Sequence, residues 1–422
     1  MALAPEEQVA LGPFRVDTAN RRLFRDGVSL ELRPQAFRAL KVLIDNRGQL
    51  VEYPQLIREA WAGLQVSKHT VAVTVNEVKD ALGVYGSWIT CRPKLGYLLE
   101  VPESNDFIRR GWHFLNLYTR AGFENGLRCF QQAAEKDSAD FRAFAGVASA
   151  YLMLGGFLMR APRSIGGAFL EAHQRAVSLC GLTPELLADR AFGRIIFEGQ
   201  PAQAEAELLE ARKVGSTSPH VHIRLALAYM ALGQLDRAAD VMRRAEAGDT
   251  LLPELTFTGT LLRLFRRDFD AAVRWGREKL DLHPGSQVGR AFYAEALDHA
   301  GNSEQALAQY RLAAAMSPDI SWIRAQEARC LARHGSSSKA LAILQHLQRN
   351  RETEYVDAYF LALVLDALGK RGEAFQELER ARAENSYALL FVDVDPKADG
   401  LKGSSQFGVW RGHAVAVVAR AC

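Results

Sequence analysis

Six positions spaced 34 residues apart, Gly199, Gly233, Arg267, Gly301, Gly335 and Gly369, constrain this chain more than any other feature. Five residues after each comes an alanine: Ala204, Ala238, Ala272, Ala306, Ala340 and Ala374. A small residue at a turn and another inside the following helix, at a fixed period of this length, describe stacked helical hairpins, because alanine lets two backbones approach closely. Each hairpin leaves an apolar face open until a neighbour covers it. Most of the chain is therefore expected to be a recognition surface, since stacked hairpins imply no chemistry of their own.

Aligned on this period, Ala226, Ala294, Ala328 and Ala362 share one position in the first helix of a unit, and Ala211, Ala245, Ala313 and Ala381 share one in the second. Pro284 and Pro318 end units. In these positions the array resembles the tetratricopeptide family. Extending the period backwards gives two looser units, about 107–140 and 141–182, the second interrupted by Gly155, Gly156 and Pro162. Those residues break a helix, so a loop that lengthens one hairpin is expected there. About eight hairpins over 104–383 result, and the resemblance implies a superhelix with a concave groove.

The period assigns His222, Tyr229, Arg263, Arg290, Tyr293, Arg324 and Tyr359 to the groove. Such a set suits an acidic or aromatic peptide, because tyrosine and arginine combine large contact areas with hydrogen bonds. A homodimer formed through the array is the competing use. The period ends after Ala383, and 384–422 is expected to cap the last hairpin with Trp410, Val415, Val417 and Val418.

The first hundred residues have another texture. Stretches at 14–17, 21–25 and 28–32, with Asp26 and Gly27 as a tight turn, predict strands. A helix follows from Pro34, a residue tolerated in a first turn, with Phe37, Leu40, Leu43 and Ile44 on one face before Gly48. A short helix over about 54–60, a longer one over 67–82, and strands at 88–91 and 97–101 around Arg92, Pro93, Lys94, Leu95 and Gly96 complete a small domain.

In this order the elements of 12–102 resemble the winged-helix DNA-binding domain of OmpR/PhoB-type response regulators, which also heads the CadC, ToxR and HilA types of regulator. With repeats behind it, the chain is similar to HilA-like or CadC-like one-component regulators. The resemblance implies a transcriptional regulator that docks on double-stranded DNA and whose repeats sense or recruit a protein or other ligand. The alternative is an interaction scaffold with a repurposed winged helix.

A helical wheel separates the faces of the 67–82 helix. Val71, Val75, Val78 and Leu82 form a stripe expected to be buried, opposite His69, Val73, Asn76, Glu77 and Asp80. The resemblance makes this the recognition helix, where asparagine pairs with adenine and valine touches a thymine methyl. Lys68, His69, Val73, Asn76 and Lys79 are thus the predicted contacts, with Arg92 and Lys94 in the wing. Residues 1–103 carry thirteen Lys/Arg against twelve Asp/Glu, and Glu77 and Asp80 are expected to repel phosphates.

The 422 residues, 48% of them hydrophobic, carry a formal charge of +3 and support at least two ordinary domains. No phosphate loop, zinc-protease motif or serine-hydrolase elbow is present, so neither an enzyme nor a cofactor is expected. His220 and His222 stand roughly 200 degrees apart on a helix, a poor chelating geometry. Asp393, Asp395 and Asp399 read as a turn-rich loop rather than a cation site. Five scattered cysteines suggest a reducing compartment without disulfides or zinc. No apolar run approaches the roughly 20 residues that span a bilayer, and no signal peptide is recognisable, so a cytoplasmic protein without membrane contact is expected. That separates it from the CadC and ToxR types, which have a membrane segment. The expected fold is mainly α, an α+β winged helix-turn-helix domain over 1–103 followed by an α-solenoid.

Overall fold

The computed structural model describes residues 8–12, 14–25, 28–101, 105–213, 219–248 and 252–418. The chain divides into two compact units, Met1–Arg110 with Gln131–Asp140, and Gly111–Phe130 with Phe141–Cys422.

The first unit opens with an antiparallel meander of β1 (Gln8–Leu11), β2 (Phe14–Asp17), β3 (Arg22–Arg25) and β4 (Val28–Leu30). Phe14 and Val16 point into the core, as the two-residue period of a half-buried strand requires. The Asp26 and Gly27 turn lies outside the described residues. Three helices follow: α1 (Pro34–Asp45), α2 (Tyr53–Ala60) and α3 (Lys68–Leu82), with β5 (Leu50–Glu52) before α2. Pro34 takes the first turn of α1, whose Phe37, Leu40, Leu43 and Ile44 are all buried. After a 3-10 turn over Gly83–Trp88 come β6 (Ile89–Arg92) and β7 (Gly96–Leu99), giving a three-stranded sheet in the order β5, β7, β6.

Two strands went unread in the sequence: β1 and β5 are short edge strands without clear alternation. Trp88, expected to begin a strand, belongs to the 3-10 turn instead, where its ring lies 5.1 Å from that of Tyr85. A Cβ at Gly96 would collide with the Val51 carbonyl, so glycine is what lets β7 pair this closely with β5.

Sixteen further helices follow in eight consecutive pairs among the described residues. They are α4 (Asn105–Leu115) with α5 (Arg120–Lys136), α6 (Phe141–Gly156) with α7 (Pro162–Cys180), α8 (Pro184–Gly193) with α9 (Pro201–Lys213), and α10 (Pro219–Ala231) with α11 (Leu235–Gly248). Then come α12 (Pro253–Phe265) with α13 (Phe269–Leu282), α14 (Gln287–His299) with α15 (Ser303–Met316), α16 (Ser321–Arg333) with α17 (Ser337–Asn350), and α18 (Ala358–Ala367) with α19 (Arg371–Ala383). Gly156 ends α6 and Pro162 opens α7, so the interrupting residues make the longer inter-helix connection expected of them.

The 34-residue register is a register of left-handed backbone. Gly199, Gly233, Gly301, Gly335 and Gly369 have φ between 64° and 85°, and Arg267 follows suit at 63°. After most of these turns the next amide bonds back five residues, as in Gln234 to Tyr229 at 2.8 Å and Asp268 to Arg263 at 3.0 Å, which satisfies carbonyls left open at a helix end. The register alanines, from Ala204 to Ala374, are fully buried where paired helices meet.

The C-terminal segment departs from the expected cap. After α19 it runs back across the inner side of the array over 385–402. Asn385 Nδ2 donates to the Phe197 carbonyl at 2.7 Å, the Tyr387 hydroxyl donates to the Gly156 carbonyl, and Phe391 packs on Phe265 with ring centres 5.6 Å apart. Farther on, Lys397 meets Glu295, and Arg267 grips Asp399. The reason is apolar burial: Phe391 joins the core formed by α8 to α12, with Tyr387, Leu390 and Val394 packed against it. The segment's last turn, α20 (Asp399–Lys402), leads to α21 (Ser405–Val418). Trp410 is buried there beside Arg382 of α19, while the side chains of Val415, Val417 and Val418 lie outside the described residues. Among the described residues no helix is long and apolar enough to cross a membrane.

Candidate DNA-reading face and repeat cavity

Helix α3 is set by its cap and its stripe. Ser67 accepts the Thr70 amide at 3.1 Å, and Val71, Val75, Val78 and Leu82 are buried against α1 and α2, together with Thr74. That leaves Lys68, His69, Val73, Asn76 and Asp80 exposed and Lys79 half-buried. Val73, 47% exposed, has no packing role to explain it. Lys68 rests over the Tyr53 ring at 4.9 Å, which directs a flexible cation along α2.

Glu77 behaves differently from the expectation. The guanidinium and backbone amide of Arg33 both donate to its carboxylate, with Nε to Oε2 at 2.7 Å, and these hydrogen bonds hold Glu77 below the usual carboxylate range. Its charge is therefore matched at the face instead of opposing phosphate. Arg33 lies 44 residues away in sequence, and nothing in the helical wheel points to it.

Arg92 and Lys94 are exposed at the tip of the β6–β7 hairpin. Lys94 has φ of 68°, a left-handed conformation that turns the wing tightly, and the Leu95 carbonyl accepts the Tyr53 amide at 3.0 Å. The hairpin tip is thereby anchored to the start of α2. The predicted contacts thus fall on two elements of one unit, the exposed side of α3 and the wing.

The second unit holds a partly open cavity of about 140 Å³. A row of rings runs along its wall: Phe157 to Phe257 at 5.4 Å, Phe257 to Phe292 at 6.3 Å, Phe292 to Trp322 at 5.7 Å, and Trp322 to Phe360 at 5.8 Å. Trp322 Nε1 donates to the Phe157 carbonyl at 3.1 Å, tying the α6–α7 connection to α16. Tyr387, Ala388 and Phe391 of the returning segment complete the wall.

Polar groups interrupt this lining at two places. At one, Lys397 lies between Glu295 and Asp395, 3.2 Å from the latter, and Asp395 accepts the Tyr359 hydroxyl at 2.7 Å. Burial pushes Glu295 up; it acts on Asp395 too, but Lys397 and the Tyr359 hydroxyl outweigh it and hold Asp395 down. At the other, Glu254 and Thr258 stand one turn apart on α12, beside His220 and Arg224 of α10. Arg224 is committed to Asp189 and the Glu254 carboxylate faces the Tyr118 hydroxyl, whereas Thr258 Oγ1 is buried without a hydrogen-bond partner among the described residues.

Of the seven residues assigned to a groove, only Tyr359 lines this cavity. His222 is buried within the array. Tyr229 is covered by Arg237, Arg263 lies over Trp275 at 4.0 Å, Arg290 donates to Gln309 at 2.7 Å, Tyr293 packs by Gly276, and Arg324 donates to Glu327 at 2.6 Å. Tyr229, Arg263 and Arg290 thus meet the second helix of their own pair, Tyr293 meets that of the pair before, and Arg324 pairs within α16. The inward register is a neighbouring one: Arg224, Thr258, Phe292 and Phe360 sit on the 34-residue spacing and all line the cavity.

The acidic turn resolves into separate ion pairs, Asp393 with Arg411, Asp395 with Lys397, and Asp399 with Arg267 and Lys402. Asp298, Cys330 and His334 also gather their ligand atoms within 4.8 Å. Arg329 and Arg333 already neutralise Asp298, at 3.1 and 2.7 Å, so the cluster is an ion-pair network.

The family described as "Transcriptional regulatory protein, C terminal" matches residues 27–99. The transcriptional regulatory protein CutR of Streptomyces coelicolor is 34% identical over 71 residues, which are 17% of this chain and 33% of CutR, and CutR of Streptomyces lividans matches equally. The chain thus spans a third of the length of these relatives. Among solved structures, the human IFIT1 dimer with m7Gppp-AAAA is 17% identical with a TM-score of 0.50, over 84% of this chain and 96% of IFIT1. A thermophilic tetratricopeptide protein of Thermus thermophilus is 20% identical with a TM-score of 0.39, over 46% of this chain and 98% of its own. Residues 27–99 are a transcriptional-regulator DNA-binding domain of the OmpR/PhoB type, and a solenoid of helix pairs in a 34-residue register follows.

Proposed function

We propose that the chain is a transcriptional regulator that reads promoter DNA through α3 and the wing and takes its signal as a small ligand inside the repeat unit. The carrying observation is the match of residues 27–99 to a transcriptional-regulator domain whose α3 exposes His69, Val73 and Asn76. Asparagine and valine on one exposed helix face suit adenine and thymine edges, and Lys68, Arg92 and Lys94 suit the flanking phosphates. For the repeat unit, the returning C-terminal segment takes the inner surface that a peptide would need and leaves a ring-lined cavity in its place. Such a regulator works where the DNA is, in the cytoplasm.

Selection of random duplex DNA by the purified chain at low salt tests the first half. One enriched operator is expected, with a footprint that weakens when His69, Asn76 or Arg92 is replaced. No preference over random duplex defeats the reading. A stable protein partner recovered without DNA would then favour the scaffold alternative, which the near-balance of thirteen basic and twelve acidic residues in 1–103 supports.

A further inference from the structure

We infer that Arg33 is a phosphate contact of the DNA-reading face, held in place for that contact by Glu77. This contact rests on the DNA-reading role proposed above and adds to it a residue outside α3 and the wing.

A helix in the major groove lies between two phosphate backbones, with base edges in front of it. At about 100 degrees per residue, Lys79 falls within roughly 20 degrees of Lys68, so both serve one flank of α3. His69, Asn76 and Val73 occupy the middle of the exposed face. Glu77 lies about 180 degrees from Lys68, and on that second flank α3 offers Thr70 and Glu77 but no cation. Left to α3 alone, one wall of the groove would meet lysine and the other a carboxylate.

Arg33 supplies the missing charge. It stands just before α1, its side chain is 66% exposed, and it reaches the flank through Glu77. Its backbone amide donates to Oε1 at 3.1 Å and its Nε to Oε2 at 2.7 Å, with Nη2 on the same oxygen. The guanidinium thus spends one edge, Nε and Nη2, on the carboxylate. Nη1 makes no hydrogen bond among the described residues, so the Nη1–Nη2 edge keeps its remaining N–H groups for another acceptor. A planar fork of this kind matches the oxygens of a phosphate.

Glu77 also lowers the cost of the contact. A free arginine loses rotamer freedom when it clamps a phosphate, and one already fixed from its other edge loses less. An acid on a DNA-facing helix thereby gains a use, which is to orient a cation.

Binding of the full chain to its selected operator and to random duplex, titrated over a range of salt, tests the contact. Arg33→Met should weaken both DNAs alike, by about tenfold, and lower the salt slope by about one. If Arg33 merely neutralised Glu77, Arg33→Met with Glu77→Gln would restore the parental affinity; the double variant should instead stay severalfold weaker, with the same shallower slope. Melting temperatures check that both variants fold. Methylphosphonate replacement of single operator phosphates needs only the parent and Arg33→Met: at one position beside the α3 footprint it should weaken the parent severalfold and leave the variant unmoved. Parental affinity in the double variant, a loss confined to the operator, or no phosphate whose replacement Arg33→Met masks each overturns the inference. If that happens while one operator is still selected, only the Arg33 contact falls. If no operator is selected yet Arg33→Met lowers affinity and slope on random duplex, the contact stands and the regulator reading falls. Folded chain that binds neither duplex removes both.

Discussion

Only five of the fifteen residues of α3 are buried, whereas eleven of the thirteen in α16 are. That contrast governs how far function can be read in each unit. On α3 a single apolar stripe faces the core, so whatever lies opposite it is exposed. Helix α16 is packed by neighbours before, behind and within the array, so hydrophobicity no longer marks a direction. A surface helix announces its working face; a helix in a stack conceals it.

The largest effect should come from the interior. Lys397 is buried between two carboxylates, and removing it leaves charge without a partner. Lys397→Met is expected to destabilise the second unit by about 3–5 kcal/mol, measured by thermal or denaturant unfolding. Adding Glu295→Gln should recover part of that loss. A loss below about 1 kcal/mol would mean that the returning segment is not integral to the repeat fold.

The exposed face should respond in kind but not in stability. Asn76→Ala is expected to erode discrimination between operator and random duplex by about 1–3 kcal/mol while leaving the melting temperature unmoved. Lys94→Glu should weaken both DNAs alike and flatten the salt dependence. If Asn76→Ala weakens specific and random DNA equally, α3 contributes no base reading, and the contrast between the units loses its functional half.

The same contrast explains what the sequence discloses. The period placed the helix pairs and their left-handed turns because glycine and alanine report local backbone geometry, at Gly233 and Ala238 for instance. The stripe on α3 was legible for the same reason. The inward register was not, because Tyr293 and Phe292 are adjacent and both aromatic, and a ring alone does not say which neighbour it meets. The path of 385–402 was illegible as well, since it depends on partners such as Gly156 and Glu295 that lie 102 or more residues away. Arg33 beside Glu77 belongs with these: ion pairs across elements leave no local trace.

A smaller effect attaches to Asp399. The Arg267 and Lys402 side chains beside it pull its carboxyl down to about 2 from 3.8. A carboxyl lowered on folding adds stability that is fully present above its unfolded value and is lost as pH falls through the folded one. Asp399→Asn should therefore destabilise at pH 6, by about 1 kcal/mol or less because the pair is half exposed, and have little effect near pH 2. Comparing unfolding at the two values checks this. An effect of equal size at both would assign Asp399 a role in shape rather than charge.

The smallest effect isolates the one turn where the register breaks its own rule. Arg267 holds the left-handed conformation that glycine holds at Gly199, Gly233, Gly301, Gly335 and Gly369, and a side chain there costs about 1–2 kcal/mol of steric strain. In return its guanidinium makes a two-pronged contact with Asp399, Nη2 to Oδ1 at 2.8 Å, fastening the returning segment to the array. Arg267→Gly removes both terms and adds chain entropy to the unfolded state, worth roughly 0.5–1 kcal/mol. The three changes nearly cancel, so the single variant should lie within about 0.5 kcal/mol of the parent. In an Asp399→Asn background the ion pair is already gone, and the same substitution should become stabilising by a few tenths of a kcal/mol. Equal effects in the two backgrounds would show that the contact adds nothing and that arginine at this turn is merely tolerated.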